Sequence, residues 1–232
     1  MRINAAPFFI GVDLAWAQGN PSGIAVIDAD ANLLEYLYTD SLDTILTLVT
    51  RYPDAAVGID APLIIPNATG HRPNERAFLK TFAGHGLGVH AANTRLFEKR
   101  FPRYTGFVLY DALKTAGFDF AKGNLFEVYP HATILALFND GKVLRYKASV
   151  PKAERLTALK RLQTVLFEVI TVPGVVQKDL VTLKGKALKA EEDFLDSLVC
   201  AYTLLYCRQN DCSRFGDDEI GKLITPKLCL KK

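Results

Sequence analysis

The sequence predicts an α/β protein built on a mixed five-stranded sheet in the order 3-2-1-4-5, with helices on both faces. Two observations carry this. Three short β-rich runs follow one another across tight turns, and a helix-length amphipathic stretch then separates them from a fourth run that reads as a buried strand. The first pattern is that of an antiparallel meander, and the second that of a crossover to a parallel neighbour.

The elements follow in order. Phe8 to Ala15 is an apolar run ended by the turn signal Gly19-Asn20-Pro21; Ser22 to Asp28 and Leu33 to Tyr38 complete the meander. Ser41 is placed to cap a helix that runs to about Tyr52, with Leu42, Ile45, Leu46 and Val49 on one face. Ala55 to Ala61 is the buried fourth strand. Residues 62–106 are rich in Gly and Pro and carry one helix, about Asn74 to Phe82; so long a connection in a compact domain is usually functional. Further helices are expected over Phe107–Ala116, from Pro130 to Phe138, over Pro151–Ile170 and over Glu191–Asn210. Leu125–Tyr129 is the fifth strand, and Ile220–Thr225 a small additional one. No repeat or linker divides the chain, so residues 1–232 read as a single domain with an elaboration at about 62–106.

Composition narrows the function classes. The chain is 49% hydrophobic, enough for a substantial core, and its net charge of +3 does not by itself announce a nucleic-acid binder. The charge is uneven: residues 140–190 carry an excess of +7, leaving −4 for the rest, so a basic flank beside an acidic centre is one reading and ordinary solvated helix faces the other. No targeting segment is apparent, and the longest apolar helix run, Ser197–Cys207, falls short of the about 20 residues a bilayer requires. A soluble, cytoplasmic protein is expected. The four cysteines fit no zinc spacing; Cys200 and Cys207 read as small buried hydrophobes, with a Cys212–Cys229 disulfide as a minor option.

Two strands carry the same pattern. Ile10-Gly11-Val12-Asp13 and Val57-Gly58-Ile59-Asp60 each end an apolar run in an aspartate. A strand core excludes an unpartnered carboxylate, because burying one costs several kcal/mol. At the carboxyl ends of neighbouring parallel strands, however, such acids line the ligand crevice. On the last helix, Asp193 and Asp196 are spaced i, i+3 and share a face, which Cys200 and Thr203 continue with small side chains. A charged first helical turn accounts for Glu191, Glu192 and Asp193, but poorly for Asp196. Four carboxylates without His or Cys point to a hard divalent cation, Mg²⁺ or Mn²⁺.

These segments resemble a known family. Gly11-Val12-Asp13-Leu14-Ala15-Trp16, Ile59-Asp60-Ala61-Pro62-Leu63, Glu127-Val128-Tyr129-Pro130-His131-Ala132 and the Asp193/Asp196 pair look like the predicted-nuclease family numbered 429 among the domains of unknown function. Arg72 with Arg76, and the ending Leu223-Ile224-Thr225-Pro226, resemble it too. Ser197 departs from it, since Ala usually follows the helix pair. The resemblance implies a ribonuclease H-like fold, near the Holliday-junction resolvases, and a nuclease activity.

The candidate catalytic set is therefore Asp13, Asp60, Asp193, Asp196 and Glu127, the four aspartates being the metal ligands. Glu127 is open between ligand, orienter of a ligand and partner of a basic residue. His131 is open between general acid, phosphate contact and a packing or capping role. Arg72, Arg76 and Lys147 are candidate substrate contacts; Arg95, Lys99, Arg100, Arg103, Lys152 and Arg155 could extend a phosphate-binding rim. Trp16, Tyr104 and Tyr110 either stack bases or pack. The expected activity is metal-dependent hydrolysis of a nucleic-acid phosphodiester, DNA or RNA. The rivals are a catalytically silent nucleic-acid- or protein-binding member of the fold, an actin- or sugar-kinase-like nucleotide binder, disfavoured by length and by the missing second phosphate loop, and a metal-dependent phosphatase. A homodimer is compatible with the sequence, which does not specify one.

Overall fold

A computed structural model describes residue 3, residues 6–147 and residues 149–228. The meander forms as β1 (Phe8–Asp13), β2 (Ser22–Asp28) and β3 (Leu33–Thr39), paired antiparallel. Its second turn is set by Asp28, whose carboxylate accepts from the backbone N–H groups of Asp30 and Asn32. The crossover helix α1 (Leu42–Thr50) starts where the Ser41 hydroxyl accepts from the Thr44 N–H at 3.2 Å. It delivers β4 (Ala56–Ile59) parallel to β1.

The long connection holds α2 (Pro73–Phe82) and also α3 (Thr94–Arg100), a helix the sequence pattern does not show. Then come α4 (Thr105–Thr115), β5 (Leu125–Val128), and α5 (Pro130–Thr133), which widens into a π-helical turn over Ile134–Phe138. The long helices are α6 (Lys152–Val169) and α7 (Gly185–Gln209); α7 begins six residues before the expected Glu191. The tail supplies β6 (Cys212–Phe215) and β7 (Leu223–Pro226), which extend the expected five strands to the order 3-2-1-4-5-7-6. Among the described residues, no helix is long and apolar enough to cross a membrane.

The cysteines differ from expectation. Cys207 and Cys212 form a disulfide that ties the end of α7 to the start of β6, so Cys207 is not merely an apolar filler. Cys200 is free and buried. Cys229, the other half of the option weighed above, lies outside the described residues.

Alternation along the strands builds two cores. Ile10, Val12, Val57 and Ile59 face the side covered by α1 and α4. Phe9, Ala25, Ala56 and Phe126 face the side covered by α7 and α6. By the same alternation, Gly11 with Asp13, and Gly58 with Asp60, lie on the α7 face. A Cβ at Gly11 would overlap the Ser197 carbonyl and the Ala201 nitrogen; one at Gly23 would lie 2.5 Å from the Asp193 carbonyl oxygen. These glycines let α7 rest on the backbone of β1 and β2, which brings its acids to the strand ends. Gly11→Ala should therefore destabilise the protein by about 1–3 kcal/mol through overpacking. Gly84→Ala, with nothing within 4 Å of the added methyl, should be neutral. Urea unfolding of the two variants checks this, and equal midpoints would contradict it.

Candidate functional site

Asp13 closes β1 and Asp60 follows β4, where its N–H continues the ladder to the Val12 carbonyl at 2.9 Å. The two aspartates thus stand side by side at the carboxyl ends of adjacent parallel strands. Facing them from α7 are Asp193 and Asp196, 3% and 0% exposed, a burial no solvated helix face shows.

Each helix acid has its own partners. Asp196 accepts from the Tyr146 hydroxyl at 2.6 Å and from the Lys147 ammonium. Asp193 accepts from Lys189, one turn earlier on α7, and from the Tyr38 hydroxyl at 3.3 Å. The neighbouring Glu192 accepts from Arg155 at 2.7 Å and is also bridged by Lys147 and Lys189. The basic 140–190 segment is thus partly spent on neutralising α7. Among the described residues, neither Asp13 nor Asp60 accepts a hydrogen bond. Burial pushes the Asp13 carboxyl well above its ordinary value of 3.8; Lys147 opposes this, and the charges of Asp196, Asp60 and Asp193 add to it. Asp60 is pushed up to about 7, by burial first and then by Asp196, against the pull of Lys147 and Lys189. Asp13 therefore feels all three other aspartates.

The remaining candidates divide. Glu127 is 2% exposed and meets Arg72 in a two-pronged ion pair, both contacts 2.9 Å, while also accepting from the Leu63 N–H at 2.7 Å. Arg72 is equally buried and bonds Glu75 and the Ile64 carbonyl as well. Of the three roles open to Glu127, the structure shows the partner of a basic residue. Arg72 departs from the expected substrate rim: its guanidinium is consumed inside the fold, whereas Arg76 is exposed and, among the described residues, donates to the His71 carbonyl alone. Lys147 directs its ammonium to the carboxylates of Asp196 and Glu192, with its side chain 34% exposed. His131 has its ring 4.8 Å from that of Tyr146 and its Nδ1 buried without a partner; burial lowers it to about 4, so it stands neutral and cannot serve as a ready proton donor near pH 7. Lys189, Tyr38, Tyr146 and Glu192 were not singled out from sequence. Of these, only the i, i+4 spacing of Lys189 and Asp193 left a readable sign.

The donor chemistry suits a hard divalent ion, since oxygen ligands converge and, among the described residues, two of the carboxyls accept no hydrogen bond. Among the described residues, however, no group of three or more Asp, Glu, His or Cys side chains is arranged to hold a metal ion as it stands. Lys147 and Lys189 occupy the cationic role. Asp196 would have to exchange Lys147 for an ion to join Asp13 and Asp60 as a ligand.

Fold and site define an α/β protein with a mixed sheet and a carboxylate-lined cleft at its switch point. The chain belongs to the family described as protein of unknown function, DUF429, whose model matches residues 11–220. No curated protein and no solved structure matches it.

Proposed function

We propose that the protein is a metal-dependent nuclease of ribonuclease H-like fold that hydrolyses nucleic-acid phosphodiester bonds with Mg²⁺ or Mn²⁺. The supporting observation is the pairing of Asp13 and Asp60 at adjacent strand ends, near Asp196 and, among the described residues, accepting no hydrogen bond. Bound there, divalent ions would polarise the scissile phosphate and acidify the attacking water. Asp13, Asp60 and Asp196 would hold the ions and not act as nucleophiles. Tyr146 fixes the Asp196 carboxylate, and Lys147 balances the buried charge until an ion enters. Incubation of labelled single strands, duplexes and junctions of DNA and RNA with Mg²⁺ or Mn²⁺ tests the reading. Cleavage that requires the ion supports it, and an inert panel counts against it.

Metal binding should tighten with pH. Asp60 sheds its proton near 7, so an ion entering at pH 6 must displace a proton from it that is largely gone by pH 8, and the raised Asp13 carboxyl adds to the competition in the same direction. Calorimetry with Mn²⁺ should show higher affinity at pH 8 than at pH 6, with proton release at the lower pH. No binding at millimolar Mn²⁺ at pH 8, with or without nucleic acid, would leave the second reading, a catalytically silent nucleic-acid binder. That reading draws on Lys147 and Lys189, which satisfy Asp196 and Asp193 without any ion.

A further inference from the structure

Trp16 follows β1 by three residues and walls three adjoining cavities. One, of about 450 Å³, is shared with Asp13, Asp193 and Phe101. A second, of about 500 Å³, is lined also by His90, Phe97, Arg100 and Phe101. The third, about 80 Å³, reaches Asp60. The two larger spaces have the size of ordinary small-ligand sites. The indole is half-buried and stands 5.3 Å from the Phe97 ring, 5.6 Å from Phe101 and 6.4 Å from His90. Phe97 and Tyr104 beneath it are buried and form a small core of the 62–106 elaboration, so Trp16 and Phe101 are the rings left facing the cleft.

Charge beside the second space is mainly basic: Arg100 lines it, and further cations stand on or next to the same helix. Arg95, Lys99 and Arg100 on α3, and Arg103 just beyond it, are exposed, and among the described residues none is paired with an acid; Glu98 is the single acid on that helix. An apolar aromatic recess bordered by unpaired cations, opening onto a carboxylate cleft, matches a planar base attached to a polyanion. Stacking on aromatic rings with cations along the backbone is how single strands are held without sequence readout.

We propose that this recess, bounded by Trp16, Phe101, His90 and Arg100, holds a nucleobase of single-stranded DNA or RNA, with the adjoining phosphate directed toward Asp13. The inference deepens the nuclease reading and rests on it for the orientation of the strand. It selects single strands, loops or ends over continuous duplex, whose bases are stacked and unavailable.

Trp16 is the only tryptophan in the chain, so its emission reports on this recess alone. The test titrates the full chain in EDTA with oligothymidylate, oligouridylate, an abasic oligonucleotide of equal length and a blunt duplex. The unmodified single strands should shift or quench Trp16 saturably, and the abasic strand should bind more weakly without changing the emission. Phe101→Ala should weaken single-strand binding about 5- to 150-fold, the range for loss of one stacked base. Exposed Arg100→Glu should weaken abasic and normal strands alike, and it serves if Phe101→Ala fails to fold. Unchanged emission at saturation, or equal quenching by the abasic strand, would overturn the proposal. Because divalent ions are absent, this result is independent of hydrolysis: cleavage without a Trp16 response sinks the pocket alone, and a Trp16 response without metal-dependent cleavage sinks the nuclease reading alone.

Discussion

Asp13→Asn should abolish cleavage while raising the melting temperature of the metal-free protein. The loss of activity should be at least about a hundredfold, since removing even a group that only orients a metal ligand costs 10–100-fold. The gain in stability follows from the sign of the Asp13 shift. Its folded carboxyl titrates above the ordinary 3.8, so the fold retains a proton that the unfolded chain releases. The stabilisation is complete below the ordinary value and declines as pH rises through the folded one. As pH rises through that folded value, the wild type comes to carry a desolvated charge beside Asp60, Asp193 and Asp196; asparagine does not. Each kcal/mol relieved should appear as about 2–4 °C. Melting in EDTA at pH 5 and pH 8 should show the variant's advantage growing with pH. A variant less stable than wild type at pH 8 would mean that Asp13 is held by favourable contacts and is not poised for an ion.

What the sequence made legible depended on how local the signal was. The meander and the parallel fourth strand are written in short-range alternation and turn chemistry, and the pairs Gly11/Asp13 and Gly58/Asp60 mark two strand ends within four residues each. Thr94–Arg100 escaped because a seven-residue helix gives barely two turns of periodicity, and here its neighbours are turn residues. Cys212–Phe215 escaped because four residues with Ser and Arg between apolar ends resemble a loop. The early start of α7 is masked by Gly185 and by Lys184, Lys186 and Lys189, a glycine among cations that carries no apolar helical periodicity. Lys189 is in fact there for Asp193, a contact within one helical turn. Lys147 lies in an irregular stretch, and its partners Asp196 and Glu192 are some fifty residues away, so no spacing rule reaches it. The Arg72–Glu127 pair is equally distant in sequence, and each residue alone carries a functional look that their mutual contact removes.

That pair bears the other large effect. Arg72→Met should destabilise the protein by about 3–5 kcal/mol, the usual cost of leaving a buried charge without its partner. Glu127 and Glu75 would both lose it, and they are 2% and 3% exposed, so water cannot replace the guanidinium. Burial alone would lower the Arg72 pKa; Glu127 and Glu75 more than reverse this and raise it, so the arginine remains charged at every working pH. Arg72→Lys should recover little, because an ammonium cannot make the two-pronged contact to Glu127 while also reaching Glu75. Arg76→Ala, one helical turn further and exposed, should stay within about 0.5 kcal/mol. The two arginines should also separate in binding. Arg76→Glu should weaken nucleic-acid affinity and flatten its salt dependence in a fully folded protein, whereas Arg72→Met should act on binding only through the loop it anchors. The clamp joins β5 to the start of the 62–106 connection, through the Leu63 N–H and the Ile64 carbonyl, and lines the same small cavity as Asp60 and Trp16. Its loss should loosen that wall first. Hydrogen exchange of Arg72→Met should therefore show early opening of residues 62–75 while β1 and β4 stay protected. Urea unfolding that costs Arg72→Met less than about 1 kcal/mol would mean that the carboxylates find other partners and that Arg72 is free to face substrate after all.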